Sequence, residues 1–228
     1  MNNKLMLGSP APPFKARTTR GNIDFPADLN DKWSVLYVHS GAFLPNSATD
    51  ILELDSALPR FLAYNATVTA MSHDSVAASI AWLLSLRNLK KDGNDVNIEI
   101  ISDSSLEIAK RYGISNTSDD INKNEKLIII TDPDGIVRSV HRYSQGMGIN
   151  VTEIERELLA LQTARYQFSQ TPAGWTPGDD ILEHPPRTIT TAGSNIAQKE
   201  GIGLRCIDWY ICFRQDSGLR KQSPNLPE

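Results

Sequence analysis

Cysteine is scarce in this chain: Cys206 and Cys212 are the only two among 228 residues. That is too few for a secreted disulfide scaffold, and no neighbouring His or Cys set completes a metal site, so neither a metal nor a cofactor is expected. No apolar run approaches the roughly 20 residues needed to cross a bilayer. The first residues contain no apolar stretch of signal-peptide length, which leaves the cytoplasm as the expected compartment. Positive charge is not in excess either. With 23 basic and 27 acidic residues the net charge is −4, so neither nucleic acid nor an anionic membrane is an expected partner. No internal repeat is visible.

What the chain does have is an alternation of short apolar runs and amphipathic stretches. Val35 to Val38 reads as a buried strand, and Ile51, Leu54, Leu58, Phe61 and Leu62 fall at helical spacing from Ala48 to about Tyr64. Thr67 to Ser72 is the next strand. A second helix follows from Ser75 to about Leu89, with Val76, Ile80, Leu83 and Leu84 predicted to face inward. Val96 to Ile101 is a further strand, and Leu106 to Tyr112 is a short helix stopped by Gly113. A polar loop is expected from Asn116 to Lys126. Asp132-Pro-Asp-Gly135 is a turn between two strands, and Val151 to Tyr166 is a third long helix. Strands alternating with helices and ending in a hairpin predict an α/β domain with a mixed central sheet over residues 1–166. From residue 167 the sequence becomes turn-rich and predicts an irregular C-terminal extension to residue 228, placed against a partner subunit.

Several segments, in order, resemble the peroxiredoxin (AhpC/TSA) family. They are Leu7-Gly-Ser-Pro-Ala-Pro-Pro-Phe14, Val35 to Asp50, Met71-Ser-His-Asp-Ser-Val76 with Trp82, and Leu127 to Gly135. The tail segments Thr171 to Asp180, Pro185-Pro186 and Cys206-Ile-Asp-Trp-Tyr-Ile-Cys212 resemble the extended C-terminal domain of the one-Cys class. The resemblance implies a thioredoxin-like fold and self-association as a homodimer or a ring of dimers. It also implies a site built on Pro-x-x-x-Thr-x-x-Cys with an arginine from a later strand. In that chemistry the thiolate attacks the peroxide, while the helix N-terminus and the arginine stabilise it.

Every one of those positions is changed here. Ser40 stands for the proline, Leu44 for the threonine, Ser47 for the cysteine and Lys126 for the arginine. A second family arginine aligns with Ile149. The accompanying losses point to natural divergence rather than one engineered substitution. Peroxide reduction needs a sulfur that cycles through a sulfenic acid, and serine has no such cycle. The expectation is therefore a peroxiredoxin relative without peroxidase activity that binds or acts on a small organic ligand in the old pocket. Leu44 and Ile149 would line it, with Trp82 beside them.

Two other readings stay open. Ser47, Lys126 and His39 could form a non-redox catalytic set, since a desolvated lysine can serve as base or Schiff-base amine. The plainer expectation is that Lys126 keeps a surface charge and that Ser47 caps its helix, with a pairing of Asp50 to Lys126 as a structural remnant. Alternatively, Cys206 and Cys212 could retain thiol chemistry. Their apolar neighbours favour buried reduced thiols over a bond between them. His73, His141, Arg142 and His184 are read as loop, strand-face or tail residues.

Overall fold

The computed structural model describes residues 5–90, 93–114, 125–197, 200–201 and 203–218. The chain divides between Val151 and Thr152 into two compact units. The first contains seven strands: β1 (Phe14–Thr18), β2 (Gly21–Phe25), β3 (Trp33–Val38), β4 (Ala66–Ser72), β5 (Glu99–Ser102), β6 (Glu125–Thr131) and β7 (Val137–Ser144). They form one sheet in the order β2-β1-β5-β4-β3-β6-β7. β3, β4 and β5 run parallel, and the remaining pairs are antiparallel. This is the mixed sheet that the alternation of elements predicts.

The central position of β3 explains its composition. Both of its faces are covered, so Trp33 to Val38 are all buried and an unbroken apolar run is favoured over alternation. Leu36 and Val38 join a cluster with Phe14, Phe25, Met71, Leu127 and Ile129. Successive side chains alternate faces along a strand, which sends Tyr37 to the other side, where α1 (Pro45–Ala63) lies. The turn after β6 is closed by Asp132, whose Oδ1 accepts from the amides of Asp134 and Ile136. Gly135 is required there: its φ is +75°, and a Cβ would sit 3.1 Å from Pro26.

The helices depart from the sequence expectation in instructive ways. α1 begins at Pro45, three residues before the predicted start, with Leu44 as its N-cap and no side-chain cap. Proline suits the first helical turn because its missing N–H would be unpaired there anyway. Ile51, Leu54 and Phe61 are buried as expected, but Leu62 is exposed. α2 (Val76–Arg87) is capped by Ser75, whose hydroxyl accepts from the Ala78 amide. Its buried residues are Ser79, Trp82 and Leu86, whereas Ile80 and Leu84 are exposed. This corrects the predicted inward face: α2 is apolar on nearly every side, and periodicity then selects no face. α3 (Glu107–Arg111) ends at Gly113, whose φ of +65° makes it the expected stop. Of the predicted loop, residues 116–124 lie outside the described residues, and Lys126 belongs to β6 instead.

The second unit holds all but the first residue of α4 (Val151–Tyr166), together with α5 (Ile189–Ala197) and a four-stranded antiparallel sheet. That sheet comprises β8 (Ile181–Leu182), β9 (Glu200–Gly201), β10 (Leu204–Asp208) and β11 (Ile211–Arg214), in the order β8-β11-β10-β9. The extension is thus built around an ordered sheet, where the turn-rich sequence suggests irregular packing. Cys206 faces Cys212 across the β10–β11 pair with Cα atoms 4.0 Å apart, and the two form a disulfide. This corrects the expectation of reduced thiols. Both cysteines are buried as expected, but the hairpin register also sets them opposite each other. With no other cysteine in the chain, a thiol assay on the unfolded, unreduced protein is expected to find none, and to find two after reduction. Closing so short a loop is worth about 2 kcal/mol in the chain-entropy account.

Candidate functional site

β3 delivers Tyr37, His39 and Ser40 to one end of the sheet, and α1 starts directly above them with Ser47 in its first turn and Asp50 one turn on. β6 brings Lys126 from the adjacent strand. Lys126 is fully buried, and its Nζ lies 2.5 Å from Asp50 Oδ2. The same carboxylate oxygen accepts from the Tyr37 hydroxyl at 2.7 Å, while Oδ1 accepts from the Ile149 amide at 3.0 Å. Asp50 is therefore the hub of the site. Burial, reinforced by the Asp50 charge, pushes the Tyr37 phenol far above its usual range, and the nearby Ser47 hydroxyl opposes this only in part. Tyr37 is consequently a hydrogen-bond donor at any physiological pH.

Ser47 is as buried as Lys126, and its hydroxyl makes no hydrogen bond of ordinary geometry among the described residues. Two expectations fall here. Ser47 does not cap α1, because it stands inside the helix beyond Leu44. Lys126 does not carry a surface charge, because β6 is an interior strand. No hydrogen bond joins Ser47 to Lys126, whose ammonium is engaged by Asp50. An ammonium held in an ion pair has no lone pair to offer a carbonyl, so the geometry does not present a nucleophilic amine.

His39 is buried, with its ring stacked on Tyr37 at 5.4 Å between centroids and tilted against Trp82 at the same separation. Its Nδ1 donates to the Gly41 carbonyl at 3.0 Å, and its Nε2 has no partner among the described residues. Burial drives its pKa down to about 4, so it is a neutral ring near neutrality. Ser40 donates to the Gln145 side chain at 2.6 Å, and Asn46 bonds both the backbone and side chain of Gln145. Leu44 and Ile149 are half-buried at the rim. Trp82 is buried between His39 and the exposed Phe43.

His39, Ser40, Ser47 and Lys126 thus converge, but on a closed polar cluster, while Cys206 and Cys212 belong to the second unit. Tyr37 and Gln145 join the cluster without any signal of their own in the sequence. Tyr37 is hidden within an apolar run and Gln145 in a loop, and only the fold brings them to Asp50 and Ser40. His73 and His184 are exposed, His141 shares a hydrogen bond with Ser139, and Arg142 pairs with Glu125. None belongs to the cluster. Among the described residues no group of His, Cys, Asp and Glu is arranged to hold a metal ion, and no helix is long and apolar enough to cross a membrane.

The AhpC/TSA family model matches residues 7–140, which include every member of this cluster except Gln145 and Ile149. The chain belongs to the AhpC/TSA family. It is 32% identical to a peroxiredoxin of Methanosarcina mazei, over 93% of this chain and 98% of that one. It is also 32% identical to a peroxiredoxin of Aquifex aeolicus, over 92% and 96%. Among solved structures, a yeast mitochondrial 1-Cys peroxiredoxin superposes with a TM-score of 0.80 at 25% identity, covering 92% of this chain and 99% of that one. A cysteine-to-serine mutant of peroxiredoxin 6 from Arenicola marina gives a TM-score of 0.78 at 24% identity, over 92% and 98% of the two chains. These neighbours establish the thioredoxin-like fold of the family, and the likeness extends into the C-terminal unit.

Proposed function

We propose that this protein is a peroxiredoxin-family member without thiol peroxidase activity at the ancestral site. The observation that carries this reading is the side chain at position 47, a fully buried hydroxyl where the resemblance calls for a reactive thiol. The surrounding groups favour it as well. Lys126, in the arginine's place, is committed to Asp50, and Leu44 supplies no hydroxyl to a peroxide. Because Ser47, Lys126 and His39 are all closed off from solvent, the reading keeps the former site as a structural cluster and not as an open ligand pocket. The self-association that the family resemblance implies, and the cytoplasmic location expected from the sequence, are part of the same proposal.

A second reading is favoured by one observation, the Cys206–Cys212 disulfide. Once reduced, this dithiol could pass two electrons to a hydroperoxide, giving the alcohol and water and re-forming the disulfide, with both thiol protons consumed. Burial of both sulfurs makes such an exchange slow.

Peroxide consumption in the presence of dithiothreitol distinguishes the two. The expected result is no turnover above background. Turnover abolished by Cys206→Ser would establish the second reading, and turnover lost in Ser47→Ala would overturn the first. The variant Ser47→Cys is expected to remain inactive, because Leu44 and the Lys126–Asp50 pair are unchanged.

A further inference from the structure

The first unit has a cleft of about 690 Å³ that contains none of the residues just described. It lies where parallel β4 and β5 end and hand over to α2 and α3. The register fixes its floor: Ser102 of β5 pairs with Arg17 of β1, and both line the cleft. Residues directly opposite across strands point to the same face, so Arg17 and Ser102 share one side of the sheet. Crevices beyond the carboxyl ends of parallel strands are where α/β sheets hold ligands, and this volume is in the range of small-molecule sites.

The lining divides into two kinds of surface. Arg17 is exposed, and its side chain makes no hydrogen bond or ion pair among the described residues. The side chains of Ser104 and Ser105 likewise have no partner among them. The acidic residue between these serines and Ser102 does not cancel the charge of Arg17. Asp103 is buried and accepts from the amides of Ile108 and Ala109, so its carboxylate serves α3. Glu107, at the rim, lies 3.9 Å from Arg111. Lys15 is paired with Asp24 and Ser75 caps α2, and the remainder of the wall is apolar. Ile80 is 42% exposed and lines the cleft, on the side of α2 that the sequence predicts to face inward. A free guanidinium with uncommitted hydroxyls, beside a solvent-facing aliphatic wall, suits a planar carboxylate on an apolar body.

We propose that this cleft binds small organic carboxylates, with Arg17 holding the carboxylate and Ile80 meeting the apolar body. The site does not depend on the fate of the peroxidase centre. An amide-resolved NMR titration of the full chain with naphthoate, its neutral analogue naphthamide, and inorganic phosphate tests it. Naphthoate is expected to give saturable shifts at Ala77, Ser104 and Ser105. Naphthamide and phosphate should each bind at least about tenfold more weakly, the first lacking the charge and the second the apolar body. Arg17→Gln and Ile80→Asp should each weaken naphthoate by about tenfold or more, with the remaining spectrum unchanged because both positions are exposed. Equal affinity for naphthamide, equal affinity for phosphate, undiminished binding by Arg17→Gln, shifts centred elsewhere, or no saturable shift at millimolar probe would each overturn the assignment.

Discussion

Replacing Lys126 with methionine is expected to cost about 3–5 kcal/mol of folding stability. The substitution keeps the apolar stem that fills β6 and removes the positive charge paired with Asp50. Asp50 is itself buried, so its carboxylate is left in an environment that cannot solvate it. Tyr37 and the Ile149 amide still donate to it, which holds the loss within this range rather than beyond it. The compensating variant sharpens the test. In Lys126→Met/Asp50→Asn the uncompensated charge disappears, while an amide at position 50 still accepts from Ile149 and still has a group to offer Tyr37. That double variant should recover most of the loss, because replacing both members of a buried ion pair is often nearly neutral. Urea denaturation of the three proteins measures both steps. A loss below about 1 kcal/mol in Lys126→Met would mean that the pair is solvated, as an exposed ion pair of that worth would be.

Such a result bears directly on function. A lysine kept for catalysis would be expected to gain stability, or lose little, when neutralised, since active-site charges are commonly held at a cost. A lysine kept for structure should be expensive to remove. The geometry around Asp50, with one carboxylate receiving an ammonium, a phenol and a backbone amide, is that of a fully satisfied network. It supports treating position 126 as a retained positive charge whose present role is to fix α1 to β3 and β6.

Much of this is legible in the sequence, and the exceptions have identifiable causes. The unbroken apolar run at Val35 to Val38 marks a buried central strand, and Asp132 to Gly135 marks the turn, because in each the local chemistry has one good solution. The order of short motifs along the chain is enough for the family and the fold. The start of α1 escapes local reading because Leu44 is not a capping residue, and the buried face of α2 because its composition does not distinguish sides. The site residues stand out individually, but their relationships do not. Whether Lys126 meets Ser47 or Asp50 depends on the register between β3 and β6, which no local pattern encodes. The disulfide is hidden for the same reason: it follows from Cys206 pairing with Cys212 across a hairpin, and burial alone gives no information about that pairing.

The second large effect expected is a pH dependence that belongs to His39. Its folded pKa is lowered to about 4, chiefly by burial, against about 6.5 for an unperturbed histidine. The Gly41 carbonyl and the nearby charges of Asp74 and Asp50 act the other way and favour protonation, while His73 opposes it. Between the two pKa values the unfolded chain binds a proton that the folded chain refuses. Stability from this group is therefore complete above about pH 6.5, falls as pH decreases, and levels off near pH 4. The full span is worth about 3 kcal/mol, of which about 2 kcal/mol is lost by about pH 5. His39→Phe is the informative variant. It preserves an aromatic ring between Tyr37 and Trp82 and gives up only the Nδ1 hydrogen bond to Gly41, which costs the same at every pH. On going from about pH 7 to about pH 5 in urea denaturation, the parent protein should lose about 2 kcal/mol more than His39→Phe. The carboxylates and the other histidines are common to both proteins and cancel in that difference. Equal losses would show that the imidazole takes up its proton in the folded state, which would make it an accessible acid–base group and revive the catalytic reading of Ser47 and His39.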